Sequence, residues 1–391
     1  MKDVVILGSA RTPIGSFGGS LSSLPATDMG GIALKAAIER SGLKPEDIEE
    51  VIMGQILQGG VGQAPARQAA IAAGIPNTSS AWAINKACSS SLKAVMEGSK
   101  AIMVGENSVV AAGGMESMSR APYLLLNGRT GYRYGHGEVK DGLIYDGLWD
   151  PYTNQHMGSC AEKTAQEYKI TREEQDAYAL ESYRRSNESI EKDFFQREIT
   201  PVVLKTRKGE LIVDRDEEPG KVKPEKVPAL RPAFAKEGTV TAANASSLND
   251  GASAVILADA DYAEENGLNP LAKIMGWSTY SHAPEWFTTA PELAIKKLLK
   301  QINWSVDDVD FFEINEAFSV VSLYNNRELG LDGSNVNVRG GAVALGHPVG
   351  ASGARILVTL IHLLQDSGKK RGIAGLCNGG GEATALAIEL V

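Results

Sequence analysis

Two cysteines, a histidine and an asparagine sit in stretches whose residue types suit group-transfer chemistry. Cys88 lies in INKACSSSLKAVMEG, where an apolar run gives way to three serines and then a helical pattern. A thiol at a helix start feels the positive end of the dipole, which predicts a pKa below the usual ~8.5. Cys88 reads either as a nucleophile or as a small buried hydrophobe beside serine caps. His347 lies in RGGAVALGHPVGASGAR between Gly346 and Pro348, a tightly constrained backbone. The GASG that follows opens a helix, a place where an anion or oxyanion can sit. Its alternative is a solvated turn histidine. Cys377 directly precedes Asn378 and three glycines in CNGGGEA. Glycines let a ligand approach bare N–H groups, as in an oxyanion hole, and a thiol beside one can act as acid or base. The bland reading is a tight β-turn with an incidental cysteine. Asn315 and Glu316 follow the apolar FFEI, at the end of a strand where α/β sheets bind ligands.

These segments are positioned by a repeat. LKAAIERSGLKPEDIEEVIMGQ, from Leu34, aligns without a gap with IKKLLKQINWSVDDVDFFEINE, from Ile295. Small-residue turns that open a helix with a cation in its early turns follow: CSSSLK from Cys88 aligns with GASGAR from Gly350 at an offset of 262. AAGGME around Gly113 aligns with CNGGGE around Gly379 at 266, and GASAVILAD from Gly251 with EATALAIEL from Glu382 at 131. The chain therefore reads as two similar halves, the first interrupted by an insertion. Each half alternates strands with amphipathic helices, which implies mostly parallel sheet covered by helices, and each ends in a hairpin-like strand pair. The expected units are 1–118 completed by 250–268, an inserted loop domain over 119–249, and 269–391. Two halves packed about a pseudo-twofold axis would bring the Cys88 turn, the His347 loop and the Cys377 loop together.

The bulk composition sets the class. With 43% hydrophobic and 22% charged residues over 391, this is ordinary globular composition spread over more than one core. A net charge of −9 offers no basic footprint for nucleic acid. Three scattered cysteines without a C-x-x-C pair favour free thiols in a reducing compartment and no metal site. No window reaches the roughly 20 apolar residues of a membrane span, and the N-terminus runs straight into a β-branched strand. These features predict a cytoplasmic protein that binds neither nucleic acid nor membrane.

Taken together, ARTPIGSFGGSL, NKACSSSLKA, GGMESMSRAPY, HMGSCAE, GTVTAANASSLNDGA, EINEAF, GGAVALGHPVGASGAR and CNGGGEA resemble the thiolases along the whole chain, acetyl-CoA C-acetyltransferases in particular. The resemblance implies the α/β thiolase fold: two duplicated βαβαβαββ halves in a five-layered αβαβα arrangement with an inserted loop domain. It implies a reversible Claisen condensation of two acetyl-CoA to acetoacetyl-CoA and CoA, in fatty acid metabolism, with coenzyme A as substrate and product and no other cofactor. Carried over, Cys88 is the acylated nucleophile. His347 is its base and a donor to the enolate oxygen. Cys377 is the acid/base at the α-carbon, and Asn315 holds a water at the enolate oxygen. The N–H groups of Cys88 and Gly379 form a second oxyanion hole. Ser246, Leu148, His156 and Met157 match positions along the pantetheine arm. GRTGYRYGHGEVKDG resembles the family's tetramerisation loop, which implies a homotetramer, a dimer of dimers.

Three positions depart from the family pattern. Ser91 stands where glycine is usual, and pointing at the acyl pocket it would narrow it. Pro219 stands where potassium-stimulated relatives carry tyrosine. Phe287 matches relatives that accept 2-methyl substrates, but Thr288 replaces their proline. Rival readings are a broader-chain 3-ketoacyl-CoA thiolase of β-oxidation, a decarboxylating β-ketoacyl synthase, and a non-catalytic acyl-CoA-binding paralogue. The second cysteine disfavours the synthase, and the full catalytic set disfavours the paralogue.

Overall fold

The computed structural model describes residues 2–207 and 209–391. The first half runs β1 (Val4–Arg11), α1 (Ala26–Ser41), β2 (Glu50–Gly54), α2 (Pro65–Ala72), β3 (Ser80–Ile84), α3 (Ser90–Met103), β4 (Val109–Ser117) and β5 (Asn249–Asp259). Between β4 and β5 lie α4 (Met157–Glu167), α5 (Arg172–Glu191) and a small hairpin, Val202–Thr206 with Gly209–Val213. The second half runs β6 (Ala272–Ser281), α6 (Ala290–Ile302), β7 (Phe311–Ile314), α7 (Ser319–Leu329), α8 (Ser352–Ser367), β8 (Arg371–Asn378) and β9 (Glu382–Leu390). The sheet order is β7-β8-β9-β6-β1-β5-β4-β2-β3. Among the described residues the strands of the two halves join where Val5 and Ile6 of β1 pair with Lys273 and Ala272 of β6.

Strand alternation sorts the apolar residues into layers. On β4, Val109, Ala111 and Met115 pack with α1 and α2, while Val110 and Ala112 face inward. On β8 and β9, Ala374, Leu376, Leu386 and Ile388 face inward, while Ile373, Ala383, Ala385 and Ala387 pack with α6. The inward faces of both halves close on α3 and α8, through Leu92, Val95, Ile356, Leu357 and Leu360. The result is five layers, with α3 and α8 sandwiched in the middle, as the family resemblance implies.

The duplication extends to details. Both α1 and α6 end in a left-handed residue, Gly42 (φ +79°) and Asn303 (φ +56°). In the turns that follow, Asp47 accepts from the Lys44 N–H and Asp308 from the Ser305 N–H, each at 2.7 Å. One element is reduced. Among the described residues the second half has no full counterpart of β3, only a bridge between Val336 and Phe312. Asn337 replaces the missing ladder, its side chain accepting from the Ile314 N–H at 2.9 Å and donating to the Ile314 carbonyl at 2.7 Å.

Strand register corrects one alignment. Glu116 pairs with Gly251 across β4–β5, and Asn378 with Glu382 across β8–β9. With Gly251 and Glu382 equivalent, Asn378 corresponds to Glu116 and Cys377 to Met115, an offset of 262 rather than 266. The glycine pairs of the two motifs are not structurally equivalent. Their similarity reflects two separate needs for bare backbone.

Candidate active site

The Cys88 turn joins β3 to α3. Ala87 takes a left-handed conformation (φ +45°), uncommon for a residue with a Cβ. Ser90 Oγ accepts from the Lys86 N–H at 2.9 Å and donates to the Ala87 carbonyl at 2.6 Å, which closes the turn. Cys88 is half-buried against Ile56, Leu57, Met118, Leu143 and Val349, in a cluster that also holds Leu148. The backbone N–H groups of Cys88 itself and Gly379 act on its thiol in the direction that favours the thiolate. The sequence predicts a lowered thiol pKa, but burial outweighs both donors and pushes it up to about 11, with the nearby Glu116 adding to the rise. Cys88 is therefore a neutral thiol at rest.

Cys377 is buried among Phe287, Phe318, Ala317 and Cys160, with Met157, Phe234 and Ala245 alongside. Burial raises its thiol pKa far above the ordinary range, and a thiolate at Cys88 would raise it further. A Cβ added at Gly379 would lie 3.7 Å from Met157 Sδ and 3.9 Å from Ala87 Cβ. Cys88, Cys377, Gly379 and Met157 thus share one site.

His347 reaches the site from the other half. Gly346 (φ +100°) presses against the Asn249 side chain, where no Cβ fits. Asn249 Oδ1 accepts from the His347 N–H at 3.0 Å, so β5 of the first half holds the second half's loop. Ser352 Oγ donates to the Pro348 carbonyl at 3.0 Å and so accepts from His347 Nδ1 at 2.6 Å. That assigns the ring proton to Nδ1 and leaves Nε2, which is buried and unpartnered, as a free base. Burial, with the charge of Arg355, pushes the imidazole pKa down to about 3.

Asn315 follows β7, its N–H held by the Gly375 carbonyl at 2.9 Å. Its side chain is 1% exposed, yet neither Oδ1 nor Nδ2 has a partner. A buried amide with both groups unused is ready for a water or a substrate oxygen. Glu316 next to it accepts from Tyr178 (2.8 Å), Ser182 (2.7 Å), the Val343 N–H (3.1 Å) and Asn337 (3.1 Å). It anchors the segment leading to Gly346.

The remaining expected residues lie around the same space. His156 caps α4, accepting from the Gly158 N–H at 3.1 Å, and stacks on Phe234 at 4.8 Å. Met157 begins α4 and packs on the Cys377 cluster. Leu148 joins the Cys88 cluster. Ser246 donates to the Ala317 carbonyl at 2.9 Å through Oγ and at 3.0 Å through its N–H. Ser91 does not face an acyl pocket. It is fully buried between α3 and α8, where its Oγ accepts from the Ala354 N–H at 2.9 Å. The hydroxyl serves the first turn of α8, whose own N-cap, Ala351, makes no side-chain bond. Phe287 is buried beside Cys377, edge-on to Phe318 at 6.5 Å. Thr288 turns away to Thr164, at 2.5 Å.

Sequence reasoning missed Glu116. It is fully buried, has no cation partner among the described residues, and accepts from the N–H groups of Ile56 (3.0 Å), Leu57 (3.1 Å) and Gly350 (3.0 Å). It ties the loop beside Cys88 to the loop carrying His347. A lone carboxylate in the small-apolar run AAGGMES was the available signal.

Comparison with known proteins places this arrangement in a class. Residues 4–261 match the thiolase N-terminal domain and 268–390 the thiolase C-terminal domain. The chain belongs to the thiolase family. It is 51% identical over 386 residues to an acetyl-CoA acetyltransferase of Yarrowia lipolytica, covering 99% of this chain and 96% of the relative. Among solved structures it resembles the Acat5 thiolase of Ascaris suum in complex with coenzyme A, with TM-score 0.95, 48% identity and full coverage of both chains. It also resembles the acetyl-CoA acetyltransferase of Bacillus anthracis, with TM-score 0.98, 43% identity, and 100% and 99% of the two chains covered.

Proposed function

We propose that this chain is an acetyl-CoA C-acetyltransferase that condenses two acetyl-CoA reversibly into acetoacetyl-CoA and CoA through an acetyl-Cys88 intermediate. The observation that carries this reading is that Gly379 lies against both Ala87 of the Cys88 turn and Met157 of the cluster that buries Cys377, so that one bare-backbone turn joins the two thiols. Cys88 attacks the thioester carbonyl as His347 Nε2 takes its proton, which leaves with CoA as the thiol. The N–H groups of Cys88 and Gly379 hold the tetrahedral oxyanion. In the second step Cys377, its own proton held meanwhile by His347 Nε2, takes the α-proton of acetyl-CoA and passes it to the Cys88 sulfur as the new C–C bond forms and the C–S bond to Cys88 breaks; the proton on Nε2 then returns to Cys377. A thioester α-proton is weakly acidic, so its base must be strong. Burial supplies that strength by raising the Cys377 pKa. The Asn315 amide and, while it carries that proton, the Nε2–H of His347 donate to the enolate oxygen.

Ser246, Leu148, His156 and Met157 line the approach of the pantetheine arm. Phe287 and Phe318 bound the acyl end, which favours short chains over the broader-chain alternative. The same reading gives a cytoplasmic homotetramer acting in fatty acid metabolism. Its support is three free thiols and the exposed apolar side chains Tyr132, Tyr134 and Val139 on the Gly/Tyr-rich loop, with Leu125 and Leu126 just before it. Among the described residues no helix is long and apolar enough to cross a membrane. Mass spectrometry after mixing with acetyl-CoA tests the chemistry: one acetyl group on a Cys88 peptide is expected, and none in Cys88→Ala. An acetyl group retained by the variant on another residue defeats the assignment.

A further inference from the structure

The nucleophile turn is strained at Ala87 and is held at both ends by one short segment, the residues that follow Cys377. On one side of the strain, Lys86 Nζ forms an ion pair with Glu382. On the other, Ser89 Oγ donates to Asn378 Oδ1 at 2.8 Å and accepts from Thr384 Oγ1 at 3.1 Å. Asn378 Nδ2 donates to the Gly379 carbonyl at 2.9 Å and reaches Glu382 at 3.4 Å. Glu382 is further fixed by Ser281 Oγ at 2.8 Å. Asn378 and Ser89 are both buried. The pseudo-twofold gives the arrangement a counterpart. Asn378 is the equivalent of Glu116, and Cys88 of Gly350, at the offset of 262. Glu116 holds the Gly350 N–H, so each half's last central strand secures the turn that opens the other half's middle helix.

We propose that Asn378 and Glu382 are positioning residues that clamp the Cys88 turn through Ser89 and Lys86, and so set the Gly379 N–H against the Cys88 sulfur. The inference rests on Cys88 being the nucleophile. A left-handed Ala is disfavoured by its Cβ and persists only where its surroundings over-determine it. The clamp supplies that restraint, and because Asn378 sits between Cys377 and Gly379, the same bonds fix the separation of the two thiols. A bond made through Gly379 matters most when sulfur or carbonyl oxygen carries charge, so the clamp acts on the acylation rate rather than on binding of the CoA body.

The test uses Asn378→Ala and Ser89→Ala, which break the same bond from opposite sides, and the double variant. Peptide mass spectrometry first locates the acetyl group, which separates the two claims: acetyl on another residue overturns the Cys88 assignment and the clamp with it. With Cys88 acetylated, each single variant is expected to slow single-turnover acetylation about ten-fold, with KM for acetyl-CoA unchanged within about two-fold. The double variant should lose little more than either single one. The pH profile of Cys88 alkylation by iodoacetamide should move up by about one unit, because an N–H donor to the thiolate is displaced. Should Asn378→Ala fail to fold, Ser89→Ala carries the test alone. Acetylation on Cys88 at the wild-type rate, with an unmoved alkylation profile in a folded variant, overturns the clamp and leaves the nucleophile in place.

Discussion

Replacing Ser91 with glycine separates a packing role from a substrate-selecting one. Ala354 is the third residue of α8, so its N–H is one of the donors no helix satisfies internally. Ser91 Oγ accepts it at 2.9 Å across the interface between the two central helices. Losing a cap of this kind costs about 1 kcal/mol, rising toward 3 when the donor is left buried. Glycine in place of serine near the start of α3 adds roughly 0.5 kcal/mol from backbone freedom. The expected loss is about 2 kcal/mol, read as a lower urea midpoint with unchanged slope at fixed protein concentration. The side chain is turned from the site, so the ratio of 3-ketohexanoyl-CoA to acetoacetyl-CoA thiolysis should stay within about two-fold of wild type. A ratio shifted about ten-fold or more, the scale at which one methylene is discriminated in a pocket, with an unmoved urea midpoint, would refute the reasoning.

Three further outcomes follow from the same site. Phe287→Ala should raise that thiolysis ratio about ten-fold, because the ring lies beside Cys377 and limits the acyl end; an unchanged ratio places the limit elsewhere. With Cys88 up at about 11 and His347 down at about 3, both are neutral between those values, so kcat/KM for Cys88 acetylation should be flat from roughly pH 5 to 9. A bell centred near neutrality would show that a thiolate–imidazolium pair is the resting state. His347→Ala removes the base and should slow acetylation by about 100-fold or more, with the urea midpoint little changed, since the bonds that hold the loop run through its backbone N–H and Ser352.

Much of this was readable before any coordinates. The gapless repeat from Leu34 and Ile295 announced the two halves, because amphipathic helices and apolar strands recur at the spacing their packing requires. Cys88, His347, Asn315, Cys377 and Gly379 stood out because each couples a polar group to special backbone. What stayed hidden depends on partners distant in the chain. The direction of Ser91 was set by Ala354, and the resting state of Cys88 by burial from five segments, which overcame the local helix effect. The 266 offset followed glycine identity, whereas the sheet follows register, and register showed that Asn378 and Glu116 are equivalent. Glu116 and Asn249 were invisible as anchors because their bonds run to backbone N–H groups of other loops, which leave no trace in residue type.

The central claim is that two thiols divide the work, Cys88 carrying the acyl group and Cys377 moving the α-proton. The most direct measurement compares both half-reactions in Cys377→Ala. Acetylation from acetyl-CoA should still load one acetyl group on Cys88, because the groups that favour its thiolate are backbone N–H groups rather than the Cys377 side chain. Thiolysis of acetoacetyl-CoA should fall by about 100-fold or more with the acid/base gone. Near-wild-type thiolysis in that variant, with Cys88 still acetylated, would contradict the account.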